Sequence, residues 1–240
     1  VPRDFMPRRS APPLAAALRR ALRRVGDPER ALAMQAYMKS AMPFLGVGSP
    51  PRRAAVRACL ADHPVHDAAE LQRVVIDLWD RARFREQRYA AIDVLLHARH
   101  RRFVSYRSLP LIEKLVTEGA WWDFVDGLAA HGLGGLLRDE PAKMKRVLHR
   151  WSRARGLWKR RAALLAQLRF GADIDLDLLY SCIDDNLQHH DFFIQKAIGW
   201  ALRSHAWTDP KAVRRHVASL GARLSPLARR EALKNVGDKP

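Results

Sequence analysis

Trp121-Trp122-Asp123-Phe124-Val125-Asp126 is the stretch from which the rest of the chain is best read. On a helix, Trp122 and Asp126 are i, i+4 neighbours and share a face. Arg161 follows Asp126 by 35 residues, and Lys196 follows Arg161 by another 35. Lys196 itself lies in the run Phe192-Phe193-Ile194-Gln195-Lys196-Ala197-Ile198-Gly199-Trp200. A period of about 35–40 residues suits two-helix repeats that stack side by side and curve. Weak self-similarity agrees with that period. Arg88-Tyr89-Ala90-Ala91-Ile92, Arg161-Ala162-Ala163-Leu164 and Lys196-Ala197-Ile198 each set a cation before small apolar residues. Trp158 and Phe193 each stand three residues before their cation.

Outside these segments, Pro and Gly separate runs with apolar residues at three- and four-residue spacing. Helices are expected over Leu14–Val25, Leu71–Leu78, Glu86–Ala98, Leu109–Glu118, Trp122–His131 and Pro141–Trp151. Further ones are expected over Leu157–Phe170, Leu176–Leu187, Phe192–His205 and Lys211–Leu220. β-branched runs of period two are almost absent, so the expected class is all-α. The expected organisation is a flexible Arg/Pro-rich start, residues 1–13, followed by one repeat domain over 14–240.

The 240 residues carry 43 Lys and Arg against 25 Asp and Glu, a formal charge of +18. Self-repulsion on that scale is costly unless a polyanion uses it, which points to nucleic acid. The densest basic stretch is Arg138, Lys143, Lys145, Arg146, Arg150, Arg153, Arg155, Lys159, Arg160 and Arg161, with Trp151 and Trp158 interleaved. Spread-out cations of this kind suit backbone phosphates. Two cysteines, Cys59 and Cys182, suggest no disulfide framework and a reducing cytoplasm. No apolar run approaches the roughly 18 residues of a membrane span, and the start lacks the apolar core of a signal peptide.

Trp79, Trp151 and Trp207 are assigned to packing, and Trp121 to the core. Trp122 is assigned to a site, because Asp126 beside it is a poor candidate for an apolar core unpaired. No phosphate loop is expected, since Gly132-Leu133-Gly134-Gly135 lacks a preceding strand and a following Lys-Ser/Thr. No metal site or cofactor is expected, because His189-His190 and His97 with His100 lack carboxylates or thiols at ligand spacing.

The chain resembles the DNA alkylation repair glycosylases of the AlkD type, which are built from HEAT-like helical repeats. The resemblance is carried by Tyr37-Met38-Lys39 with Pro43-Phe44-Leu45-Gly46, Leu78-Trp79-Asp80, Trp121-Trp122-Asp123 with Val125-Asp126, Arg161-Ala162-Ala163, and Phe192–Trp200. It implies a HEAT-like solenoid with a concave basic surface. It further implies a monomeric, monofunctional glycosylase removing 3-methyladenine and 7-methylguanine from double-stranded DNA. Asp126 would be the catalytic carboxylate, with Trp122 and Trp200 facing the lesion nucleotide. Arg161 would hold the nearby backbone, and Tyr37 would stand on the DNA side. Lys159, Arg160, Lys196 and Arg155 complete the expected DNA contacts. The other class to weigh is a HEAT-like scaffold that binds nucleic acid, or an acidic protein, without chemistry.

Overall fold

The computed structural model describes residues 12–234 and 236; the Arg/Pro-rich start up to residue 11 lies outside them. The fold is all-helical, 75% helix, with no strand among the described residues, as the periodicity implied. It divides into two compact units, Val1–Val104 and Ser105–Pro240.

The first unit holds α1 (Pro13–Arg24), α2 (Pro28–Met38), α3 (Ser49–Asp62), α4 (Ala68–Asp80) and α5 (Arg85–Leu95). Leu14, Leu18 and Leu22 of α1, Val56 and Leu60 of α3, and Val74, Val75, Leu78 and Trp79 of α4 are all buried, and α1 packs on both of the other helices. Helix α3 is not among the helices expected from periodicity, since Pro50 and Pro51 fall among the prolines and glycines that separate the apolar runs. Both fall in its first turn, where a missing N–H costs nothing and the fixed φ already suits a helix. Proline opens α2, α9 and α14 in the same way. The loop between α2 and α3 is held from within. The fully buried Glu86 carboxylate accepts the N–H groups of Leu45, Gly46 and Val47 at 2.8–3.0 Å. Gly46 has φ +82°, and a Cβ there would lie 1.9 Å from the Asp27 carbonyl oxygen.

The second unit runs α6 (Leu109–Gly119), α7 (Trp122–Gly127), α8 (Gly134–Asp139), α9 (Pro141–Ser152), α10 (Leu157–Leu165), α11 (Leu176–Asp184), α12 (Phe192–Ala206), α13 (Pro210–Leu220) and α14 (Pro226–Leu233). Asp175, Asp191, Asp209 and Ser225 cap α11 to α14 by accepting N–H groups of their first turns. Helix α10 is central. It packs on α6, α7, α9, α11 and α12, burying Ala162, Leu164 and Leu165. Consecutive helices that each pack on near neighbours are consistent with a helical-repeat solenoid.

Two glycines set distances in this unit. Gly134 joins α8 to a π-helical turn, Leu128–Leu133, that continues α7 without a break. A Cβ on Gly134 would come within 2.6 Å of the Ala166 carbonyl oxygen. Gly134 therefore serves helix packing. Gly199 lets α14 lie against the backbone of α12: a Cβ there would sit 2.5 Å from the Glu231 Cβ and 2.7 Å from the Ala228 oxygen. Among the described residues no helix is long and apolar enough to cross a membrane.

Candidate active site

Helix α7 places Trp122 on its first turn and Asp126 one turn later, the i, i+4 relation expected from the sequence. The neighbours of Asp126 on its own helix, Phe124 and Val125, are fully buried and pin the helix to the core. The carboxylate side chain is left 13% exposed. Arg161 meets it from α10 as a two-pronged fork. Nε donates to Oδ1 at 2.7 Å and Nη2 donates to Oδ2 at 2.8 Å. Nη1 donates to the Phe193 carbonyl of α12 at 2.5 Å. Three helices thus converge on one ion pair.

The pairing is dry. The Arg161 side chain is only 5% exposed. Burial pushes the Asp126 carboxyl above its ordinary value of 3.8, more strongly than the Arg161 hydrogen bonds and charge pull it down. A bidentate fork needs two acceptor oxygens, so the paired state is the ionised carboxylate. Each oxygen keeps a lone-pair position that Arg161 does not occupy.

An aromatic cluster abuts this pair. Trp121, Trp158 and Phe193 pack in a triangle with ring centroids 5.2–5.9 Å apart. The Arg161 guanidinium lies 5.9 Å from the Phe193 ring. Trp121 is half-buried at the N-cap of α7, and its indole Nε1 is buried with no hydrogen-bond partner. Trp158 and Phe193 could have been found from their shared position three residues before a cation. Their contact with each other could not. Trp122 is half-buried and Trp200, on α12, is 37% exposed. Tyr37, on α2 of the first unit, is 76% exposed.

The expected cations are placed unevenly. Arg161 was expected on a backbone phosphate, yet three of its donors are taken by Asp126 and Phe193. Lys159 donates to Glu113 of α6 and lies 5.6 Å from the Trp151 ring centroid. Arg160 is wound into the turn after α9, donating to the carbonyls of Ser152, Ala154 and Asp185 and to Asn186 Oδ1. Lys196 pairs with Glu231 of α14 at 2.9 Å. Of the dense basic stretch, Arg146, Arg150 and Arg155 are exposed and make no ion pair among the described residues. Arg138, Lys143, Lys145 and Arg153 have partners inside the unit: the Arg169 carbonyl, Glu140, Asp175 and Asp185. Much of that positive charge therefore holds helices together.

Trp79 and Trp151 are buried as expected, but Trp207 is 76% exposed, which corrects its assignment to packing. It follows the last turn of α12, where no neighbouring element among the described residues covers it. Both cysteines are buried and free, and burial pushes the Cys182 thiol up to about 12. Among the described residues no cluster of three or more His, Cys, Asp or Glu could hold a metal ion.

No curated protein matches the chain. Among solved structures, one described as "Predicted DNA alkylation repair enzyme from Enterococcus faecalis" is 31% identical with a TM-score of 0.80. The match covers 89% of this chain and 98% of that one. A family described as DNA alkylation repair enzyme matches residues 18–236, a span that contains Asp126, Arg161 and the helices that join them. By that match the chain belongs to the DNA alkylation repair enzyme family.

Proposed function

We propose that the protein is a monofunctional DNA glycosylase that releases cationic N-alkylated purines, such as 3-methyladenine and 7-methylguanine, from double-stranded DNA. The observation that carries this reading is the Asp126 carboxylate. It is held by a buried two-pronged arginine, one helical turn from Trp122, with part of its surface still open. Family membership supports a DNA repair role.

The chemistry follows from the substrate. An N3- or N7-alkylated purine carries a positive charge that its departure neutralises, so its glycosidic bond breaks without an acid on the base. Positive charge then develops on the sugar. Asp126 opposes that charge electrostatically from a site where little water screens it. Water adds to C1′ as the C1′–N bond breaks, the base leaves neutral, and the proton lost by the water passes to Asp126 or solvent. The faces of Trp122 and Trp200 contribute about 0.5–2 kcal/mol each to holding the cationic sugar–base unit. Arg161 fixes the direction of the carboxylate from a position that is itself only 5% exposed, so its part is to orient Asp126 rather than to hold a phosphate. Tyr37, Lys159, Arg160, Lys196 and Arg155 remain proposed DNA contacts. Of these, Arg155 and Tyr37 are the exposed ones.

A second reading is favoured by the dryness of the same ion pair. A non-catalytic scaffold for nucleic acid would also use a buried Asp–Arg pair to join helices. Single-turnover base release from matched duplexes carrying 7-methylguanine, uracil or no lesion separates the two. The glycosylase frees 7-methylguanine and leaves uracil, because the proposed site offers an ionised carboxylate and aromatic faces, and none of its described residues is assigned to protonate a neutral leaving base. Comparable release of uracil overturns the mechanism. Release of neither base, with tight duplex binding, establishes the scaffold.

A further inference from the structure

Helix α12 buries Ile194, Ala197, Ile198, Ala201 and Leu202 on one side. On the other side Phe193, Lys196, Trp200, Arg203 and Trp207 follow one another at spacings of three and four, so they form one stripe. Trp207 is the C-cap residue with φ −66° and ψ −24°, so it continues the helical path. Aromatic rings and cations alternate along this stripe. Trp207 lies about 10.5 Å beyond Trp200 at 1.5 Å per residue. The exposure rises from 37% at Trp200 to 76% at Trp207. The two cations are held in place by one carboxylate. Glu231 takes Lys196 on Oε1 and Arg203 on Oε2, both at 2.9 Å, where Gly199 lets α14 approach.

A single exposed aromatic needs no explanation, but Trp207 continues one stripe with Trp200 and two cations, and exposed apolar surface rimmed by charge in this way suits docking. Charge complementarity decides its partner: the stripe offers cations between aromatic faces on a chain of net charge +18. Aromatic platforms set among cations are the means by which proteins follow a nucleic-acid strand. We propose that Trp207 is a second DNA contact, meeting the sugar–phosphate strand beyond the nucleotide next to Trp200, with Arg203 holding the phosphate between them. This rests on the proposed function only in taking DNA as the partner.

The test therefore uses undamaged duplex and needs no catalysis. Fluorescence anisotropy with a labelled duplex is measured across a salt series for the wild type, Trp207→Ala, Trp207→Phe and Arg203→Gln, with far-UV circular dichroism and melting as folding controls. Trp207→Ala weakens binding about fivefold or more, the low end for loss of one aromatic contact, and Trp207→Phe recovers most of it. Arg203→Gln lowers the magnitude of the log K against log salt slope by about 0.9. A folded Trp207→Ala variant that binds within twofold of wild type overturns the proposal. So does sedimentation showing that this variant dissociates a dimer, which would give Trp207 to a second copy of the chain. Absent base release with the Trp207 effect intact sinks the glycosylase reading and leaves this one standing.

Discussion

Asp126 and Arg161 are one functional unit, and their replacements separate two roles. Asp126→Asn keeps the shape and one acceptor oxygen but removes the charge that opposes the developing cation. Single-turnover base release is expected to fall about 10²–10³-fold, the effect of losing one preorganised group worth roughly 2.7–4 kcal/mol. Binding to undamaged duplex should hold, since a negative charge has been removed. Release within a few-fold of wild type would take Asp126 out of the mechanism. Burial also sets a pH limit. The raised carboxyl takes up its proton above the ordinary 3.8, so base release is lost as pH falls through that raised value. The sign for stability is the reverse. This group favours the folded state below 3.8, and the benefit is lost as pH rises through its folded value. A wild-type acid limb at or below 3.8 would contradict it. Arg161→Ala should abolish release with the salt slope of binding unchanged, because its charge is spent on Asp126. A slope smaller by about 0.9 would show a phosphate contact instead. The sequence read Asp126 correctly as the neighbour of Trp122, since that relation is local. That Arg161 would pair with Asp126 was not legible. Their 35-residue separation suits successive helical repeats but says nothing about which side chain fills the space between.

Elements were legible where their pattern was local and lost where neighbours decide. The stretches of α1, α4, α6, α9, α12 and α13 stand in apolar periodicity alone. Helix α3 was hidden because proline reads as a breaker unless its position in the first turn is known. The helix expected over Leu157–Phe170 ends as α10 at Leu165. Its last residues leave the helix for turns, and Gln167 there exchanges hydrogen bonds with the Asp175 backbone. Trp207 was assigned to packing because residue type alone favours burial; its exposure reflects that no element among the described residues covers it. The α12–α14 crossing makes a prediction at this scale. Gly199→Ala forces a Cβ against backbone and the Glu231 side chain, and overpacking of this kind costs about 1–3 kcal/mol. For a chain of this size each kcal/mol lowers the melting temperature by about 2–4 °C. An unchanged melting temperature would mean that α14 moves away freely.

At the scale of the molecule, charge and buried histidine set how behaviour changes with salt and pH. The excess of +18 is not a uniform coat. Much of the densest stretch is matched by carboxylates and carbonyls inside its unit, so the cations free for a polyanion are fewer than composition suggests. Composition counts charges, but only the fold shows which are committed. His100, His205 and His216 are all held below their ordinary 6.5, in each case chiefly by burial. Neither ring nitrogen of His205 has a partner. The unfolded chain therefore binds protons that the folded one refuses, and stability falls as pH drops through 6.5 toward the lowered values. Melting temperatures measured from pH 7.5 to 5 should decline, and His205→Gln should flatten part of that decline. A profile level over this range would contradict the burial argument.

The π-helical turn that follows Asp126 has a consequence of its own. Buried residues step by four from Phe124 to Leu128, by five to Leu133, and by four again to Leu137. The extra residue works as a phase shifter, letting one continuous rod present Asp126 in one direction while its far end keeps an apolar side inward. Substitution cannot remove such an offset; only loss of a residue can. Deleting Ala130 would restore a regular spacing and rotate α8 about 100° relative to Asp126, the turn of one residue at 3.6 per revolution. This rod should therefore accept changes of side chain far more readily than a change of length.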